Sequence, residues 1–174
     1  MTHRHTPITR LIALSGAAVF ALVACGSDDP SALDDGVLTV EMSDFTYGDL
    51  PDEVPVGTEL AVTNTAEAEL HEFVAFRLPD DDTRSAEDIM AGDVGALLGG
   101  SEPAMVLLAP PGSDEQIVAV GKPVFGEAGR YLILCAIPTG ADPGEYLEAA
   151  ATSDGPPQVD GGPPHFMNGM YAEI

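Results

Sequence analysis

The chain has 174 residues, 6 basic and 29 acidic groups, and a formal charge of −23. So acidic a surface is repelled by nucleic acid and by anionic lipid headgroups, and it has almost no cations to hold phosphate, which excludes DNA or RNA binding. The length suits one compact domain rather than two.

Arg4 and Arg10 precede an apolar run from Leu11 to Ala24 that is broken only by Ser15 and Gly16. That pattern is a secretory signal, too short and wrongly flanked for a transmembrane helix. Its end, Leu22-Val23-Ala24-Cys25, resembles the bacterial lipobox, which implies cleavage before Cys25 and a lipid on its sulfur. Residues 1–24 are therefore expected to be a lipoprotein signal peptide, 25–35 a polar tether, and 36–174 the folded domain. The chain after cleavage keeps 4 basic and 29 acidic groups, a formal charge of −25. With Cys25 lipidated, Cys135 has no cysteine to pair with, and His71 and His165 are the two histidines left.

Val37 to Met42 reads as a strand, followed by an extended piece at Phe45–Tyr47 and a loop rich in Gly, Asp and Pro. Further strands are expected at Glu59–Thr65, His71–Leu78, Ala104–Ala109, Gln116–Val120, Tyr131–Ile137 and Met170–Ile174. Short strands separated by Gly and Pro turns predict an all-β sandwich. One segment departs from that pattern: Ser85-Ala-Glu-Asp88 resembles a capping box, and Met90, Val94, Leu97 and Leu98 follow at helical spacing. A helix is predicted over 86–98, closed by Gly99-Gly100. A shorter helix is predicted within Asp142–Ala151, inside a Gly- and Pro-rich excursion that runs to Pro164.

An unpaired thiol in an oxidising compartment is a buried inert cysteine, an intermolecular bridge, a nucleophile or a metal ligand, and its neighbours decide between these. Cys135 ends an apolar strand and has no nucleophile-elbow signature, which argues against a cysteine hydrolase. Asn64-Thr65 with His71, then Gly129-Arg-Tyr131-Leu-Ile-Leu-Cys135, then His165-Phe-Met-Asn-Gly169-Met170, resemble the plastocyanin and azurin family of cupredoxins. The resemblance covers residues 36–79 and 115–174.

That resemblance implies a Greek-key β-sandwich and one copper ion held by His71, Cys135 and His165, with Met170 as the weak axial ligand. Met167 lies close enough to pack beside Met170 or compete with it. Imidazole suits Cu(II) and thiolate with thioether suits Cu(I), so such a set serves both oxidation states. Glu69 and Glu72 beside His71 are hard oxygen groups expected in solvent. The resemblance further implies an electron carrier with a redox partner protein, whose docking face would be basic to match the acidic charge. Two alternatives stay open: a copper carrier or buffer without electron transfer, and a metal-free cupredoxin-like module that binds a partner. A copper enzyme needs further copper ions and more histidines than two, so no enzyme is expected.

The chain departs from the family at one place. A few residues ordinarily separate the Cys from the second His, whereas residues 136–164, 29 in number, intervene here and Pro138 stands where a nearby His would be. Lengthening a loop from ~3 residues to that size adds ~2 kcal/mol of closure entropy. A thiolate and imidazole metal site is worth on the order of 10 kcal/mol, so closure of the site is still expected.

Overall fold

The computed structural model of the chain describes residues 33–48, 50–92, 94–153 and 155–174. The expected signal and Cys25 lie outside these residues. A first sheet holds β1 (Val37–Ser43), β2 (Thr46–Tyr47) and β3 (Glu59–Asn64), with β1 central, antiparallel to β2 and parallel to β3. The second sheet holds β4 (His71–Arg77), β5 (Met105–Ala109), β6 (Ile117–Gly121), β7 (Tyr131–Leu134) and β8 (Tyr171–Glu173), ordered β6-β5-β4-β7-β8 and antiparallel throughout. Three consecutive strands lie side by side and β7 returns to the free side of β4, which is a Greek key. The expected Greek-key sandwich is the fold the chain forms.

Strand periodicity explains the layers. Leu38, Val40 and Met42 of β1 and Leu60 and Val62 of β3 face Phe73, Ala75, Met105, Leu107 and Ile133 of the second sheet in one buried cluster. The alternate residues of the second sheet, Val74, Phe76, Leu132 and Leu134, point the other way. They are covered by α1 (Ala86–Gly92) and α2 (Val94–Gly100), which contribute Ile89, Met90, Val94, Leu97 and Leu98. A strand buried on both faces loses the polar alternation, and β4 is apolar at Phe73, Val74, Ala75 and Phe76 for that reason.

The capping box forms: the Ser85 hydroxyl accepts from the Asp88 N–H at 3.1 Å, and the Asp88 carboxylate accepts from the Ser85 N–H at 3.4 Å. The glycines expected to end this helical stretch are instead the last residues of α2. The second predicted helix is α3 (Pro143–Thr152), capped by Asp142, whose carboxylate accepts from the Glu145 N–H at 2.9 Å. Leu33 packs against the core and Asp34 bridges to Val37, so the folded body begins before residue 36.

Candidate metal centre

His71 opens β4 beside β5, where it pairs in register with Ala109. Cys135 stands one residue past the end of β7, still on the inward face that Tyr131 and Ile133 define. His165 begins a 3-10 turn, His165–Asn168, that was not expected from sequence. Gly169 closes the turn at a left-handed φ of 102°, a conformation open to glycine, and donates back to the Phe166 carbonyl. Met170 follows, and its carbonyl accepts from the Cys135 N–H at 3.1 Å.

The long interval between Cys135 and His165 is closed at a neck. Pro138 and Pro164 face each other in an antiparallel bridge. Thr139 donates from its N–H and from its hydroxyl to the Pro163 carbonyl, at 3.0 and 2.7 Å. Below the neck, His165 donates to the Ile137 carbonyl and Phe166 to the Cys135 carbonyl. A Cβ at Gly161 would lie 2.5 Å from the Cβ of Pro138, so the neck needs glycine there. Residues 139–163 thus form a side lobe, and Cys135 and His165 meet as if joined by a short loop.

The three side chains converge at that end of the sandwich. All are fully buried, and their donor atoms lie within 4.8 Å of one another. His165 Nδ1 is 3.1 Å from His71 Nδ1 and 3.3 Å from Cys135 Sγ. Met170 is fully buried in the same cluster as Cys135. Met167, in contrast, is 68% exposed, which argues against its packing beside Met170 or competing with it.

Of the carboxylates beside His71, Glu72 is buried, contrary to expectation, and Glu69 is only partly exposed. Glu69 accepts from Nε2 of His165 at 3.2 Å and from the Gly140 N–H at 3.1 Å. An Nε2–H held in this way leaves His165 Nδ1 with its lone pair turned to Cys135 and His71. Glu72 is 4% exposed. Its N–H points to Cys135 Sγ at 3.5 Å, and its carboxylate accepts from the Ala136 N–H at 2.8 Å and the Tyr146 hydroxyl at 3.2 Å. Sequence reasoning also missed Phe45, which takes a left-handed φ of 60° and sets its ring 4.9 Å from that of His165. No local pattern in the sequence signals either contact, because both partners lie in distant segments.

Electrostatics prepare these groups for a cation. Burial, and then the neighbouring His165, lower the His71 pKa from 6.5 to about 4. Burial also lowers that of His165, against the pull of Glu69. Both rings are neutral at neutral pH, as metal ligation requires. Burial, and then the Glu72 charge, push the Cys135 thiol well above its usual value, so only a bound cation makes it a thiolate. Nε2 of His71 is buried with no hydrogen-bond partner among the described residues. Two neutral imidazoles, one thiol and a buried thioether nearby make a donor set that fits one copper ion.

No protein-family model matches the chain, and none of the curated proteins matches it. Among solved structures it is similar to dithionite-reduced auracyanin of the photosynthetic bacterium Roseiflexus castenholzii. That match has 16% identity and a TM-score of 0.42, and it covers 79% of this chain and 94% of that one. It is also similar to auracyanin A, a blue copper protein of the green thermophilic photosynthetic bacterium Chloroflexus aurantiacus. There the identity is 16% and the TM-score 0.32, over 57% of this chain and 87% of that one. At these values the reading of the site rests on its own donors.

Proposed function

We propose that this chain is a cupredoxin-type electron carrier that holds one copper ion through His71, Cys135 and His165, with Met170 as the weak axial ligand. The observation that carries this reading is the convergence of two neutral imidazoles and one thiol, fully buried, with donor atoms within 4.8 Å. Copper in such a set exchanges one electron between Cu(I) and Cu(II) with little rearrangement. The residues supply the rigidity. Glu69 fixes the His165 tautomer, the Glu72 N–H points at the Cys135 sulfur, and the Cys135 N–H is held by the Met170 carbonyl. The apolar cluster around Cys135 keeps water from the sulfur.

The location and partner belong to the same proposal. A lipid on Cys25 would anchor the carrier outside the cytoplasm, and the charge of −25 favours a redox partner with a basic docking face. A Cys25→Ser variant should leave the membrane fraction for the soluble one; retention at the membrane would reject the anchor.

Copper titration of residues 26–174 tests the central reading. The expected result is one copper per chain and an intense visible thiolate-to-Cu(II) band that is lost in Cys135→Ala. A colourless protein without stoichiometric copper overturns it. Reversible voltammetry with fast exchange supports electron transfer, and copper uptake without a reversible couple identifies a copper carrier instead.

A further inference from the structure

Glu72, Ala136 and Phe166, each next in sequence after a proposed ligand, line a cleft of about 830 Å³ together with residues such as Leu98 of α2 and Tyr146 of the side lobe. The alternation of side chains along a strand puts Glu72 there: His71 faces the core, so the next side chain faces away from it. A carboxylate in that buried place is costly unless its oxygens are bonded. Both oxygens are bonded, one by the Ala136 N–H and one by the Tyr146 hydroxyl.

These two donors are informative. β7 ends at Leu134, which pairs with Tyr171, so Ala136 lies beyond the ladder and the Glu72 carboxylate takes the place of a strand carbonyl for its N–H. Tyr146 is 3% exposed and stands on α3, the helix of the side lobe. The Glu72 main chain is itself fixed, because its carbonyl accepts from the Tyr47 hydroxyl at 2.7 Å. A chain of contacts therefore runs from α3 through Tyr146 and Glu72 to the peptide that carries Cys135.

We propose that Glu72 is a positioning residue of the metal centre and that Tyr146 locks it, so that the side lobe 139–163 sets the rigidity of the Cys135 peptide. The inference rests on the copper reading above and deepens it. It assigns the lobe a role that the neck alone does not require, since the neck already brings Cys135 and His165 together.

Three variants of the soluble chain test it: Tyr146→Phe, which deletes one oxygen, Glu72→Leu, which deletes both acceptors, and Glu72→Gln, which keeps an acceptor for Ala136. In Tyr146→Phe, copper transfer to a chelator should be faster by about tenfold, the size of effect seen when groups supporting a ligand are removed. Its thiolate-to-Cu(II) band should shift in position or intensity ratio. Glu72→Leu should change both readouts further in the same direction, and Glu72→Gln should stay near wild type. In the metal-free protein, the Ala136 amide should exchange with solvent faster in Tyr146→Phe than in wild type.

Folded Tyr146→Phe and Glu72→Leu proteins that keep the wild-type band and transfer rate overturn the inference and leave the copper reading intact. If Glu72→Leu does not fold, Tyr146→Phe decides alone. A wild-type protein that takes up no copper overturns the copper reading first, and this inference with it.

Discussion

Sγ of Cys135 lies 3.3 Å from Nδ1 of His165, although 30 positions separate them in sequence. The Pro138–Pro164 bridge and the Thr139–Pro163 hydrogen bonds close the interval, so the closure entropy of the long segment is met by the neck rather than by the metal site. The residues at the neck set the spacing of the donors.

Excision of the lobe should therefore spare metal uptake. A chain in which residues 140–161 are replaced by an Asn-Gly turn, joining Thr139 to Gly162, should still take up one copper with a visible thiolate band. It should be less stable by on the order of 3 kcal/mol, because Tyr146 and part of Leu147 no longer bury their apolar surface. It should also release copper at the faster rate expected of Tyr146→Phe. Copper stoichiometry and denaturant unfolding measure these effects; a shortened chain that folds but binds no copper rejects the neck as the element that sets the spacing.

The sandwich and the buried cluster of His71, Cys135 and His165 were legible because each has a strong signal along the chain. Short strands between Gly and Pro turns announce the sheets, and His71, Cys135 and His165 stand out through the scarcity of their residue types. The apolar stretch Phe73 to Phe76 also reads as a strand, though its second covered face became clear only with α1 and α2 in place. Glu69 and Glu72 were misread for a different reason. A carboxylate beside a ligand looks solvated unless one knows what lies over it, and here the cover comes from Gly140, Tyr146 and His165, 71 to 96 positions away. The neck was equally hidden, since nothing local in Pro138 or Pro164 announces that they pair.

Glu69→Ala should weaken copper binding by about 10- to 100-fold, the usual cost of removing the carboxylate that orients a ligating histidine. The variant frees Nε2 of His165 to exchange tautomers and releases the Gly140 N–H, so both the ring and the start of the lobe loosen. Competition with a chelator measures the affinity. Glu69→Gln, whose amide oxygen still accepts, should fall between the two; equal affinity in all three proteins would show that Glu69 does not orient the ring.

Copper loading should release about one proton per ion at neutral pH. Burial keeps the Cys135 thiol protonated well above neutrality, while His71 and His165 are already neutral. The thiol keeps that proton until copper displaces it, so lowering the proton concentration favours loading and affinity should rise about tenfold per pH unit between pH 6.5 and 8.5. Calorimetric titration in two buffers of different ionisation enthalpy counts the protons. A count of zero would mean that the thiol is already ionised or is not a ligand.

Stability of the metal-free protein should respond to pH through two buried groups that act in opposite directions. Burial raises the Glu72 carboxyl from 4.5 to about 7, against the hydrogen bonds from Ala136 and Tyr146. Between those values the folded chain holds a proton that the unfolded chain gives up, so this contribution is full below pH 4.5 and is lost as the pH rises through 7. His71 behaves oppositely. Its pKa falls from 6.5 to about 4, the unfolded chain binds more protons in that window, and stability rises with pH. In wild type the two slopes offset each other between pH 4.5 and 6.5. Glu72→Gln removes the first and leaves the second, so its stability should climb relative to wild type as the pH rises from 4.5 to 7. The relative gain is on the order of 3 kcal/mol, from 1.36 kcal/mol per unit of pKa shift. Denaturant unfolding of both metal-free proteins at pH 4.5, 5.5, 6.5 and 7.5 measures it, and parallel profiles would show that Glu72 does not titrate in this range.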